Sequence, residues 1–210
     1  MRIVLYGSTG KIGRRILSEA LSRGHSVTAI VRDASHERSS RSNLEYKTGD
    51  VLKAESVAAA TKGNEVVISA YGPGAGDAKQ IITAAKSLIE GVGGNQPMRL
   101  VVVGGAGSLE VAPGLQLVDT PHFPAAHKKM ALAHREALQL YRAAPFEWTF
   151  VSPSEEINEG SRTGQYRTGG DQLLVGAQGK SHISMEDFAA AIMDEVEKPQ
   201  FIQHRFTVGY

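Results

Sequence analysis

The sequence predicts an α/β fold: a Rossmann-like, doubly wound parallel sheet with helices on both faces, in a single domain spanning 1–210. Three observations carry this. The chain opens with an apolar run, Arg2 to Tyr6, then Gly7-Ser-Thr-Gly10-Lys-Ile-Gly13, then Ile12, Ile16, Leu17, Ala20 and Leu21 at helical spacing. Strand-like and helix-like segments alternate along the whole chain. The strand segments are nearly continuous apolar runs, as burial on both faces of a sheet demands.

The elements follow in order. A strand, a glycine-spaced turn and a helix at the start suggest a dinucleotide-binding unit. Gly7 tolerates the unusual dihedrals of a tight turn. Gly10, lacking a Cβ, lets backbone approach a pyrophosphate, and Gly13 lets the helix pack on its strand. The helix N-terminus offers free N–H groups and a positive dipole end. Arg23 followed by Gly24 reads as the helix stop. Ser26–Val31 is β-rich, and Leu44–Thr48 is a weaker strand. Lys53–Thr61 reads as helix, and Glu65–Ser69 as strand through Val66-Val-Ile68. Asp77–Glu90 places Ile81, Ile82, Ala85 and Ile89 at helical spacing. Leu100–Val103 is a buried strand, Pro124–Ala143 a long helix, and Trp148–Val151 a strand with Trp148 in the core. Ser184-Met-Glu-Asp187 matches a capping box ahead of Phe188, Ala189, Ile192 and Val196. Arg205–Val208 reads as an edge strand. The polar, glycine-rich stretches 105–124 and 154–179 are expected to form the ligand crevice.

Composition sets the limits. Hydrophobic residues at 41% and charged residues at 21% are ordinary for a globular protein. A formal net charge of +1 gives no electrostatic case for nucleic acid or membrane partners. With no cysteine, disulfides, thiolate catalysis and thiolate metal sites are excluded. This fits a cytoplasmic protein acting on a small molecule, as does the absence of a signal-peptide layout or an apolar run of membrane-spanning length.

The residues carry a family resemblance over nearly the full length. G-S-T-G-K-I-G at Gly7, V-T-A-I-V-R ending at Arg32, G-D-V at Gly49 to Val51 and V-V-V-G-G-A-G-S at Val101 to Ser108 contribute to it. W-T-F-V-S-P at Trp148 to Pro153 and H-I-S-M-E-D-F-A at His182 to Ala189 complete it. The chain resembles an atypical member of the short-chain dehydrogenase/reductase superfamily, in the NAD(P)H-binding group of biliverdin reductase B-like and NmrA-like proteins. The resemblance implies that Gly7, Thr9, Gly10, Lys11, Ile12 and Gly13 hold the pyrophosphate. It also implies Asp50 and Val51 near the adenine, with Ala70, Tyr71 and Gly72 on the path to the nicotinamide ribose. Pro153 would fix the loop over the nicotinamide. Asp50 has a second reading as the cap of the helix beginning near Lys53.

Arg32 ends the second strand, where an arginine suits a 2′-phosphate and an acid suits the ribose hydroxyls. We expect NADP(H) in preference to NAD(H), with NAD(H) left open by the neighbouring Asp33. The superfamily's usual catalytic set is a serine or threonine after the fifth strand plus Tyr-x-x-x-Lys on the next helix. Ser108 stands at the serine position. Counting back from Trp148, the tyrosine place falls on Met130 and the lysine place on His134, and Tyr141 lies too far along. His134 becomes the candidate contact to ribose or substrate. His127 shares its helical face two turns away. A metal site from His122, His127 and His134 lacks a carboxylate at fitting spacing, and His182 reads as a loop residue. The glycines of Gly104-Gly-Ala-Gly107 are expected to bring backbone close to the nicotinamide.

Three functions are compatible with these residues. The first is an NADPH-dependent oxidoreductase reducing a flavin, quinone or carbonyl. The second is a non-catalytic NADP-binding redox sensor of NmrA-like type. The third is a nucleotide-sugar epimerase or dehydratase, opposed by the missing tyrosine and the short C-terminal region.

Overall fold

Apolar runs too short for helices pair side by side and bury both faces. The structure, a computed structural model, describes residues 1–35, 41–95 and 97–210. The order is β1 (Arg2–Tyr6), α1 (Lys11–Ser22), β2 (Ser26–Val31), β3 (Leu44–Thr48), α2 (Ala54–Thr61), β4 (Val66–Ser69) and α3 (Lys79–Gly93). Then come β5 (Arg99–Val103), a 3₁₀ turn (Ala106–Ser108), β6 (Glu110–Ala112), β7 (Leu115–Gln116), a second 3₁₀ turn (Leu117–Asp119) and α4 (Ala125–Arg142). The chain ends with β8 (Trp148–Ser152), β9 (Glu156–Asn158), β10 (Arg167–Gly169), β11 (His182–Ser184), α5 (Met185–Glu197) and β12 (His204–Gly209).

The main sheet has the order β3-β2-β1-β4-β5-β8-β12-β10. Every pair in it is parallel except β10 with β12. The chain winds from β1 outward to β3, then crosses to β4 on the other side of β1. That reversal opens a crevice above the carboxyl ends of β1 and β4, where such sheets bind ligands. One face packs Ile3, Leu5 and Val151 with α1 and α5 through Ile16, Phe188 and Ile192. The other packs Val4, Tyr6, Trp148 and Phe150 with α2, α3 and α4 through Val57, Leu88 and Leu138. Trp148 is a core residue, as expected.

The end of α1 follows its sequence signal. Arg23 is the C-cap, Gly24 takes φ +80°, and the amides of Gly24 and His25 donate to Leu21 O and Ala20 O. Ser184 caps α5 by accepting from the Asp187 amide at 3.0 Å. The capping box is only half of one, because the Asp187 carboxylate turns elsewhere. It accepts from the Thr163 and Gly164 amides, the Thr163 hydroxyl and the Tyr210 hydroxyl.

Two expectations need correction. β12 is an interior strand between β8 and β10, and the short antiparallel β10, hidden in a loop-like sequence, forms the edge. Asp50 does not cap α2. Lys53 stands at the N-cap without a side-chain bond, and Asp50 Oδ1 accepts from the Leu52 amide at 2.9 Å.

Candidate functional site

The glycine turn is built by close approach. Gly7 sits at φ +77°, and a Cβ there would lie 2.4 Å from Ala70 O. A Cβ on Gly13 would lie 1.9 Å from Gly7 O, so this glycine clears the turn itself rather than the strand below it. The Gly10 amide closes the turn on Gly7 O at 3.0 Å. Gly10 is the extended N-cap of α1 and no side chain caps the helix. The first amides of α1 therefore lack side-chain partners, at an exposed surface formed by Thr9, Gly10 and Lys11 with Ile12 half-buried behind them. Ser8 Oγ is buried beneath the turn with no partner among the described residues. A dinucleotide pyrophosphate fits this turn, which offers backbone donors and has no Cβ at Gly10 to obstruct it.

The ends of β2, β3 and β4 border the same crevice. Arg32 is exposed and makes no hydrogen bond or ion pair among the described residues. Asp33 is turned back on its own loop, where the Ser35 hydroxyl, and after it the Ser35 amide that donates to Oδ1 at 2.9 Å, hold its carboxyl below the usual range. Val51 is buried, while Asp50, Ala70 and Tyr71 are half-buried and Gly72 is exposed. The Tyr71 hydroxyl donates to Gln80 Oε1 at 2.8 Å. Burial and the Asp50 charge push that hydroxyl up and Arg32 pulls it down, so all three groups feel one another across the crevice. Burial, then Asp50, also raises Tyr6, whose hydroxyl has no partner among the described residues.

At the end of β5 the glycines answer to protein neighbours. A Cβ on Gly104 would meet the Phe150 ring at 2.0 Å, and one on Gly107 would meet Ala131 Cβ at 2.6 Å. At these two positions packing alone already requires glycine. Gly105 lies against the His134 ring, about a van der Waals contact away (3.4 Å to Cδ2 from a built Cβ). That ring is half-buried and has no hydrogen-bond partner among the described residues. Burial pushes it down to about 4, so it is a neutral imidazole at pH 7. A neutral imidazole can donate or accept a hydrogen bond, but it holds no acidic proton to give.

Ser108 closes the 3₁₀ turn beside Gly107 and is 3% exposed. Its Oγ accepts from Arg205 Nη1 at 3.0 Å. Arg205 also donates through Nε to Asp171 Oδ1 at 2.6 Å and through Nη2 to the same carboxylate. Sequence reading missed Arg205 and Asp171, which lie 97 and 63 positions from Ser108; only the fold joins them. Pro153 is buried at the end of β8. Met130 is half-buried against the core, and Tyr141 is a core residue in tilted contact with Phe150 (6.1 Å between centroids). His122 and His127 are exposed, and His182 packs edge-on against Tyr210 at 5.0 Å. Among the described residues, no group of three or more His, Cys, Asp or Glu is placed to hold a metal.

The two long stretches behave differently from each other. Residues 105–124 fold into two 3₁₀ turns and the β6–β7 hairpin, and Arg135 of α4 anchors them through Gln116 and Asp119. In 154–179, the part around Glu159 to Gly164 is strapped to α1 and α5. Arg15 pairs with Glu159 and Glu186, Arg162 pairs with Glu19, and Asp187 holds Thr163 and Gly164.

The NAD(P)H-binding family model matches residues 7–199. A solved structure from Burkholderia pseudomallei, named by inference as an exported protein, is 46% identical, with 100% of both chains covered and a TM-score of 0.92. One from Bacteroides thetaiotaomicron, named by inference as an epimerase, is 40% identical, covering 100% of this chain and 96% of that one, with a TM-score of 0.92. One from Streptococcus pneumoniae TIGR4, named by inference as an NADH-flavin reductase, is 32% identical, covering 100% and 99%, with a TM-score of 0.88. No helix among the described residues is long and apolar enough to cross a membrane. The glycine turn, the crevice at the strand reversal and the match over residues 7–199 agree: the chain belongs to the NAD(P)H-binding family of Rossmann-fold proteins.

Proposed function

We propose that this protein is an NADPH-dependent reductase of a small acceptor, a flavin, quinone or other carbonyl-bearing molecule. The observation that carries the reading is the end of β5. There Ser108 and an unpartnered, neutral His134 flank the Gly105–Gly107 turn beside the crevice. The Streptococcus pneumoniae relative's name points the same way. When bound, the dinucleotide supplies a hydride. This chain's own residues do the rest. The glycine turn and the α1 amides fix the phosphates, and Arg32 meets a 2′-phosphate. The Gly105–Gly107 turn and His134 shape the acceptor's seat. Binding and orientation supply most of the catalysis. Arg32, without a partner among the described residues and next to an Asp33 already engaged by Ser35, supports NADP(H) over NAD(H). The cytoplasm, where reduced dinucleotides are held, is the compartment this reading requires, and neither nucleic acid nor a membrane is a partner in it.

A second reading has its own support. Met130 and His134 stand where the superfamily's tyrosine and lysine would be, and Ser108 is buried, as a dinucleotide sensor without turnover could tolerate. NADPH oxidation against flavins, quinones and aldehydes separates the two. Turnover on any of them supports the reductase. Tight NADPH binding with no turnover on any acceptor gives the protein to the sensor reading.

A further inference from the structure

Arg205 is the least expected member of the site. Its side chain is 3% exposed, whereas Asp171, its carboxylate partner, is 48% exposed. Asp171 also meets Arg142 at 3.2 Å. Nη1 of Arg205 points to Ser108 Oγ, and the hydrogen bond runs one way only, because a guanidinium has no acceptor. Ser108 itself donates to nothing among the described residues. Its hydroxyl proton is therefore free, on an oxygen whose lone pair is held by a cation.

The surroundings repeat this pattern. Phe206 and Val208 of β12 face α5, so Arg205 and Thr207 face α4. Trp148 and Phe150 of β8 face α4, and so does Ser152. Thr207 and Ser152 are register partners on neighbouring strands. Both hydroxyls are buried and have no partner among the described residues. Buried hydroxyls are normally satisfied. This face of β8 and β12 therefore carries a guanidinium and two hydroxyls whose donors are unused among the described residues.

We propose that Arg205 is the positioning residue of the site. By occupying a lone pair of Ser108 Oγ, it aims the Ser108 hydroxyl proton at the carbonyl oxygen of the acceptor. This rests on the reductase reading above. The acceptor gains a hydride from the reduced dinucleotide and one proton from solvent. Negative charge builds on its oxygen between those two events, and the Ser108 O–H stabilises that charge. An arginine thus does through a serine what a lysine does through a tyrosine elsewhere in the superfamily: a fixed cation strengthens the hydroxyl as a donor.

The test is a double-mutant cycle on the whole protein: Ser108→Ala, Arg205→Met and both together. Three quantities are read: kcat for NADPH oxidation, the Kd of NADPH from its fluorescence, and the Kd of oxidised flavin from fluorescence quenching without NADPH. Arg205→Lys, which keeps the charge, covers the case in which Arg205→Met does not fold. We expect either single change to lower kcat by about a hundredfold and the double change to lower it no further. Flavin binding should weaken alike in all three variants but by less than kcat, because the charge on the acceptor oxygen builds only during reduction, with NADPH binding within about twofold of wild type. Multiplicative losses in kcat, or an Arg205 effect that persists undiminished in the Ser108→Ala background, would overturn the role of Arg205 and leave the reductase reading standing. A wild-type protein that binds NADPH and reduces none of the acceptors would overturn both.

Discussion

Between β1 and β4 the crevice is made of main chain. Between β5 and β12 it is made of side chains. On the first side, Gly7, Gly10 and Gly13 lie within one short turn, and the groups offered to a ligand are amides of α1. On the second side, Ser108, Arg205 and Asp171 come from three distant segments and meet only in the folded state. Main-chain donors are present whatever the sequence, so binding there depends on what must be absent, namely a Cβ. Side-chain donors depend on which residue is present and what holds it. The first side should therefore fail by steric blockage, and the second by the loss of individual groups.

The largest effect is expected on the main-chain side. A Cβ on Gly13 would lie 1.9 Å from Gly7 O, a carbonyl that also receives the Gly10 amide. Gly13→Ala must open the turn, at a cost of about 1–3 kcal/mol in stability. Dinucleotide binding should be lost, because the donors are scattered with the turn. Calorimetric titration with NADPH reads this directly. Retained affinity would mean that the turn geometry does not set the site.

Next in size is Asp187, which lies outside the crevice and tests whether the strapped part of 154–179 serves stability alone. Burial works against this carboxylate, but bonds from Thr163, Tyr210 and Gly164 outweigh it and hold it below its usual range. Asp187→Ala strands two amides and two hydroxyls, which should cost about 3 kcal/mol, or a fall in Tm of roughly 10 °C in a chain of this size. NADPH affinity measured well below the new Tm should not change. A drop in affinity would place that segment in the site.

These two cases also show what the sequence made legible. The strand–turn–helix opening, the order of the elements and the capping serine at 184 depend on residues close together in the chain, so periodicity and local chemistry reveal them. Arg205 read as part of an edge strand because nothing near it shows that β10, a three-residue strand, covers that edge. The packing need for glycine at Gly104 and Gly107 was not legible, because glycine spacing is the same whether a nicotinamide or a Phe150 ring lies beside it. Asp50 looked like a cap by position alone, and its bond goes to the Leu52 amide two residues on. His134 was reached by counting, but its neutral state follows from burial, which only packing supplies.

A smaller effect is expected at Arg32. Arg32→Ala should weaken NADPH binding about tenfold, the value of one charge-assisted contact at an exposed site. NADH binding should barely change. Because the residue is solvent-facing, stability should stay within about 0.5 kcal/mol. Parallel titrations of the two dinucleotides read the ratio. Equal losses for both would assign Arg32 to the adenine or ribose in place of a phosphate.

The smallest effect is on pH dependence, at His134. Its folded value is near 4 against 6.5 in an unfolded chain. Between those values the unfolded state binds more protons, so the folded state loses stability as pH falls through 6.5. The loss is complete below about 4. At about pH 5.5 the cost should be near 1 kcal/mol, after allowing for the ring's partial exposure. Carboxylates held low, such as Glu19, Glu186 and Asp187, also lose stability in acid, but below 4.5. The window between 4.5 and 6.5 therefore reports the histidine. Thermal unfolding of wild type and His134→Phe across that window should show the wild-type Tm falling by roughly 3 °C relative to the variant as pH falls. Parallel curves would mean that the imidazole is hydrated and titrates as it does in the unfolded chain, which would make it a candidate proton donor. A wild-type loss relative to the variant would leave it a neutral hydrogen-bonding wall of the crevice, with a kcat that does not change with its protonation near pH 7.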